Sequence, residues 1–158
     1  MNKIFKRFLP IILIFTLLSC AYEPMFSEKS YNFKMGEIKF EGNKDINRII
    51  KSKFNLIKDD VSKDKDVYDL IIKSEKDKII VAKDTKGDPS KFELIIKTDY
   101  KIKRNQKLLL KNKIIKKNFY NNISDKFKLE QNERIIIDNL SEKISDEIIT
   151  SIINLDDN

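Results

Sequence analysis

The stretch Phe92-Glu93-Leu94-Ile95-Ile96-Lys97-Thr98-Asp99-Tyr100-Lys101-Ile102-Lys103 decides the fold. Phe92, Leu94, Ile96, Thr98, Tyr100 and Ile102 alternate with Glu93, Lys97, Asp99, Lys101 and Lys103, and Ile95 alone breaks the rule. A period of two over this length is the mark of a strand with one face buried and one face wet. The run is bounded on its N-terminal side by Asp84-Thr85-Lys86-Gly87-Asp88-Pro89-Ser90, a strong turn signal. On its C-terminal side, Arg104-Asn105-Gln106 turns the chain into a second, less regular strand over Leu108–Tyr120.

Further out, Val67–Lys83 carries Tyr68, Leu70 and Ile72 on one face and resumes extended character at Ile79 after Lys76-Asp77-Lys78. It is read as one long bent strand, with a hairpin of two strands as the alternative. Beyond the last strand and a polar connection (Asn121–Lys128), Ile137, Leu140, Ile144, Ile148, Ile152 and Leu155 recur at three- and four-residue steps. That stripe predicts a long helix from about Glu130 to Leu155, on the order of 35 Å, enough to cross a sheet. Towards the N-terminus, Tyr31, Phe33 and Met35 alternate, and Ile38 and Phe40 continue in the opposite phase, with Gly36 at the switch. This predicts a strand with a bulge at the glycine, or two short strand pieces. Ile46, Ile49, Ile50, Phe54 and Ile57 then fall at helical spacing behind a cap at Asn43 or Asp45, giving a short helix over about Ile46–Leu56.

The order β-α-β-β-β-α, with one apolar face per strand and one apolar stripe per helix, has an economical solution in two layers. The expected fold is an α+β two-layer sandwich, a mostly antiparallel sheet with both helices on one face. The other face, carrying Lys97, Lys101, Lys103 and Lys111 or Lys113, is expected to be wet or to meet a partner.

Upstream of this domain stands Leu17-Leu18-Ser19-Cys20-Ala21, which holds the only cysteine of the 158 residues. It follows the apolar run Ile11–Leu18, itself preceded by Lys3, Lys6, Arg7 and Pro10. This is the arrangement of a lipoprotein signal peptide: Leu17 for a hydrophobic pocket, small Ser19 and Ala21 around the thiol, and Cys20 as lipid acceptor. The run is shorter than the ~20 residues that span hydrocarbon, which disfavours an uncleaved anchor. The expected organisation is a signal peptide over 1–19, a lipidated tether over 20–30 and one domain over 31–158. Ala21, in place of an aspartate, argues for the outer rather than the inner membrane.

Composition narrows the chemistry. Removing residues 1–19 leaves 139, enough for one domain with a real core. The chain's net charge of +7 falls to +4 once Lys3, Lys6 and Arg7 are gone, so basicity is a weak argument for nucleic acid. With no histidine and the single thiol committed to lipid, Cys/His metal sites, disulfides and histidine general-base catalysis are excluded. No cofactor is implied, and an enzyme is not expected. The acidic-basic run at Asp59, Asp60, Asp64, Asp66 and Asp69 matches no calcium loop and is interleaved with Lys58, Lys63 and Lys65, so it reads as a solvated loop.

The chain resembles the LPS-assembly lipoprotein (LptE) family in its alphaproteobacterial form. The resemblance lies in Cys20-Ala21-Tyr22-Glu23-Pro24-Met25-Phe26, in the β-α-β-β-β-α order over the mature chain, and in Glu133–Leu155 with Ile135-Ile136-Ile137-Asp138-Asn139-Leu140-Ser141-Glu142-Lys143-Ile144. It implies an outer-membrane lipoprotein, anchored on the periplasmic side, that plugs the lipopolysaccharide-export β-barrel, aids its assembly and contacts lipopolysaccharide in transit. It also implies glycolipid contacts on the loop between the second and third strands, here Lys83, Lys86 and Lys91, and near the start of the last helix, here Lys126 and Lys128. A lysine stands where the family has an arginine in that loop, so point-charge attraction replaces bidentate phosphate binding. Independently of the resemblance, a mobile Gly87–Pro89 loop edged with ammonium groups suits phosphates and carboxylates, while each lysine taken singly also reads as a solubilising charge. Another small envelope lipoprotein, acting as scaffold in a barrel-assembly or lipid-trafficking complex, is the alternative.

Overall fold

The structure, a computed structural model, describes residues 31–57 and 65–157. The signal peptide, Cys20, the tether and most of the charged loop therefore lie outside the described residues. The elements are β1 (Phe33–Gly42), α1 (Lys44–Asn55), β2 (Asp66–Lys83), β3 (Pro89–Arg104), β4 (Lys107–Asn121) and α2 (Lys126–Asp156), in the expected β-α-β-β-β-α order. They form one open four-stranded sheet of order β1-β2-β3-β4. Its two long pairings are antiparallel, and β1 runs parallel to β2 because α1 carries the chain back across the sheet.

Val67–Lys83 is a single strand, not a hairpin. Its pairing with β3 continues through Lys76↔Ile96, Asp77↔Ile95 and Lys78↔Leu94, so the charged interruption stays in the ladder. The break in alternation at Gly36 is the expected bulge, where the β1–β2 register shifts between Met35 and Ile38. Any side chain at Gly36 would collide with the Asp69 carboxylate, which accepts the Glu37 N–H at 2.8 Å.

The core is built from one alternation set per strand. Tyr68, Leu70 and Ile72 of β2 and Phe92, Leu94, Ile96, Tyr100 and Ile102 of β3 are buried together with Ile46, Ile50 and Phe54 of α1 and Leu140, Ile144, Ile148 and Ile152 of α2. Both helices thus cover the same face, and β3 at the sheet's centre carries the most buried row. Asn43 caps α1, its side chain accepting from the N–H groups of Asp45 and Ile46.

α2 begins a turn earlier than its apolar stripe predicts. Asp125 is the cap, accepting from Phe127 N and Lys128 N, so Lys126 and Lys128 belong to the first turn of the helix and not to a connection. At 31 residues the helix is about 46 Å long. Three tyrosine hydroxyls tie it to successive places on the sheet: Tyr120 donates to Glu133 at 2.7 Å, Tyr100 and Ser151 share a 2.8 Å hydrogen bond, and Tyr68 donates to Asp156 at 3.1 Å.

Candidate functional site

The β2–β3 hairpin and the start of α2 meet at one end of the sheet. Lys83 pairs with Pro89 and Ala82 with Lys91 across the hairpin, while Lys91 pairs with Asn121 at the end of β4. Asn122 then locks to β3 twice, through its N–H to Ser90 O at 2.9 Å and its side-chain amide to Pro89 O at 2.7 Å. Only three residues separate Asn122 from Lys126. Lys83, Lys86, Lys91, Lys126 and Lys128 are therefore brought to the same end of the molecule, and all five are exposed.

The loop itself is not the slack segment its glycine and proline suggest. Asp84 folds it: the carboxylate accepts from Lys86 N and Asp88 N, both at 2.9 Å, and the backbone closes through Gly87 N to Asp84 O and Asp84 N to Asp88 O. Gly87 supplies the positive φ of 88° that this turn requires. Asp84 and Asp88 also set two carboxylates beside Lys83 and Lys86, and Lys128 lies 3.6 Å from the Asp125 carboxylate. The local field is positive but diluted. Lys91 differs from the rest, because its ammonium group stands over the Phe119 ring at 5.4 Å from the centroid.

Sequence reasoning missed the apolar half of this end. Ile79, Ile80 and Val81 are each exposed on β2, and Phe119, Ile123 and Phe127 are exposed on or after β4. Three consecutive exposed apolar residues project from both faces of the hairpin, since the ladder places Ile79 opposite Glu93 and Ile80 opposite Phe92. The signal was present in the sequence, but alternation alone assigns half of any such run to a core.

Just behind the tip lies a polar network that the sequence also did not reveal. Lys78 donates to Glu133, Tyr120 donates to the same carboxylate oxygen, and Lys78 stands 4.3 Å from the Phe92 centroid. Burial pushes Glu133 up, but the hydrogen bonds from Lys78 and Tyr120 and the Lys78 charge outweigh it and hold the carboxyl below its usual value of 4.5. Burial, then the hydrogen bond to Glu133, pushes the Tyr120 phenol up. Among the described residues no group of three or more Cys, Asp or Glu converges as a metal site.

The open sheet face is partly neutralised in register. Lys97 meets Asp77 at 2.7 Å, Lys117 meets Glu93 at 3.3 Å and Lys73 meets Glu75 at 2.9 Å. The hydrogen bond to Asp77 pushes Lys97 up.

No family model and no curated protein matches the chain in sequence. Solved structures do match in fold. Rare lipoprotein B from Shewanella oneidensis superposes with a TM-score of 0.54 at 15% identity, over 76% of this chain and 98% of that one. Lipoprotein B from Nitrosomonas europaea gives 0.57 at 10%, over 78% and 84%. A minor lipoprotein from Acinetobacter baumannii gives 0.51 at 17%, over 75% and 92%. The chain therefore has the fold of these rare and minor lipoproteins. At such identities the likeness is one of fold, and it does not single out the alphaproteobacterial form.

Proposed function

We propose that this protein is a lipid-anchored envelope lipoprotein of the LPS-assembly type. It docks in the outer-membrane export β-barrel, supports that barrel's assembly and contacts lipopolysaccharide through the β2–β3 tip. It works by surface contact and not by catalysis. One observation carries the reading: on a fold shared with rare lipoprotein B, cations and exposed apolar side chains occur together at one end of the sheet. A glycolipid presents phosphates beside acyl chains, and that end offers ammonium groups (Lys83, Lys86, Lys91, Lys126, Lys128) beside Ile79, Ile80, Val81 and Phe119. Lysines supply screened, orientation-tolerant attraction, and the aliphatic run supplies the non-directional part of the binding.

The test is binding of purified lipopolysaccharide to the full chain and to a Lys83→Glu/Lys86→Glu/Lys91→Glu variant, with affinity purification from native membranes alongside. The expected result is a loss of glycolipid affinity of about tenfold or more with an unchanged melting curve, and co-purification of a large β-barrel. Unchanged affinity removes the tip from the proposal, and recovery of inner-membrane components alone removes the barrel.

A further inference from the structure

The sheet's other end carries a second basic surface, whose lysines make no ion pair among the described residues. Lys101 and Lys111 sit directly opposite each other across β3 and β4, and Lys103 is two residues along the same face. Like charges in directly opposed positions are unfavourable in a sheet. Yet the ion pairs that quiet Lys97, Lys113 and Lys117 stop short of these three, none of which has a salt-bridge partner among the described residues. The acids nearest to them form no ion pair with them: Asp66 is bonded to Arg104, Asp99 lies 3.9 Å from Lys113, and Asp69, opposite Lys103 across β2 and β3, accepts the Glu37 N–H. Asp156 lies on the helix-covered side, bonded to Tyr68. Beside the lysines, on the same open face, Leu108 is 49% exposed opposite Lys103, and Val67 is 45% exposed at the start of β2.

The position of this patch identifies its occupant. Phe33, the first residue of β1, pairs with Asp66, and Tyr68 pairs with Arg104 next to the β3–β4 turn. The domain's N-terminus and the patch therefore share one end of the sheet, while the β2–β3 tip is about 55 Å away along β2. Ten residues separate Cys20 from Tyr31, a reach of at most about 40 Å. A lipid on Cys20 therefore keeps the first strand, and with it the patch end of the sheet, within about 40 Å of the bilayer that holds it.

We infer that Lys101, Lys103 and Lys111, with Leu108 and Val67 between and beside them, dock the domain onto the anionic headgroup surface of the membrane that carries its anchor. The inference rests on the lipid-anchor reading of Cys20 and is independent of the barrel and of lipopolysaccharide. The acyl chains supply the attachment. The patch supplies orientation: unpaired ammonium groups lie over the headgroups, and two aliphatic side chains enter the interface. Docked in this way, the open sheet face at that end turns to the bilayer, and Ile80, opposite Phe92 on the helix-covered face of the tip, does not.

The chain has no tryptophan, so Leu108→Trp introduces a sole indole reporter at the patch, and Ile80→Trp a matching one at the tip. The lipidated full chain is reconstituted in vesicles of phosphatidylcholine, or of phosphatidylcholine mixed with phosphatidylglycerol. The expected result is a blue shift and quenching by brominated lipid for Leu108→Trp in the anionic vesicles only, reversed by high salt, with Ile80→Trp unmoved in both. Adding Lys101→Glu/Lys103→Glu/Lys111→Glu lowers the docking equilibrium about a hundredfold, at roughly fivefold per lysine, and abolishes the shift. An indole at position 108 that stays solvent-exposed in anionic vesicles overturns the inference, as does docking that survives the triple substitution or occurs equally without anionic lipid. Flotation with phosphatidylcholine vesicles reports the anchor separately. A chain that fails to float lacks the anchor, and the indole response to anionic vesicles still decides the docking.

Discussion

Gln106 is the side chain with the least natural backbone in the domain. It follows Asn105 in the two-residue turn between β3 and β4, and both have positive φ, 51° and 66°. A two-residue turn of this kind matches the twist of the flanking strands only when both central residues are left-handed. Asn tolerates that conformation, whereas Gln gains nothing from it. Gln106→Gly is expected to raise stability by about 0.5 kcal/mol, the relief of left-handed strain less the extra chain entropy of glycine, measured by urea denaturation. Glu133 is the opposite case, a side chain whose surroundings favour its charged form. Its folded carboxyl titrates below its ordinary value, so its contribution is present at neutral pH and above the unfolded value of 4.5, and is lost as pH falls through the folded value. Glu133→Gln is expected to lower stability at neutral pH by about 1–2 kcal/mol and to flatten the acid limb of a melting-temperature profile against pH. A profile with the same steepness in both proteins would place the acid sensitivity elsewhere.

At the scale of elements, α2 decides the packing. Its inward row of Ile144, Ile148 and Ile152 is wholly buried, and Ser141 and Ser145 on the same face are also closed off from water. The Ser145 hydroxyl donates to the Ser141 carbonyl at 2.9 Å and so is satisfied within the helix, whereas the Ser141 hydroxyl is buried without a hydrogen-bond partner among the described residues. Ile144→Ala is expected to cost about 2–5 kcal/mol in denaturant titration, because the surrounding strand residues cannot collapse into the space. This helix also shows where periodicity reaches its limit. The apolar stripe from Ile137 marks most of the part of α2 that packs, but the first turn, where Leu129 is buried and Phe127 exposed, lies upstream of it and is helical because Asp125 satisfies two of its free N–H groups. Likewise, β2 runs through Lys76-Asp77-Lys78 because β3 supplies an unbroken row of backbone partners, and Lys78 finds Glu133 of α2 and the Phe92 ring of the neighbouring strand on the helix-covered face.

Among the described residues, the sheet of the domain has two different ends. The chain enters beside the unpaired lysines of β3 and β4, and the hairpin end carries lysines diluted by Asp84, Asp88 and Asp125 but enriched in exposed aliphatic and aromatic groups. Lys91 and Lys101 stand ten residues apart on β3, about 33 Å, and the two surfaces share no partner among the described residues, so substitutions at them should act independently. Combining Lys86→Glu/Lys91→Glu with Lys101→Glu/Lys111→Glu is expected to change the unfolding free energy by the sum of the two pairs, within about 0.5 kcal/mol, as read from chemical denaturation. A larger departure would mean that the ends are coupled through the sheet.

Alternation over Phe92–Lys103 and the stripe from Ile137 to Leu155 were enough to establish strands, helices and their order, because burial on one face imposes its period directly on the chain. The same local rule explains why the bulge at Gly36 and the cap at Asn43 were within reach, since each depends on neighbours a few residues away, whereas the cap at Asp125 was passed over because the apolar stripe starts further on. What no local pattern contains is which distant side chains become adjacent. The parallel placement of β1, the Lys78–Glu133–Tyr120 network, the opposition of Lys101 to Lys111, and the gathering of the tip lysines around Ile79, Ile80 and Phe119 all depend on strand register and on where α2 crosses the sheet. Those are settled only when the whole core closes, since a one-residue slip in any ladder would exchange its buried and open faces.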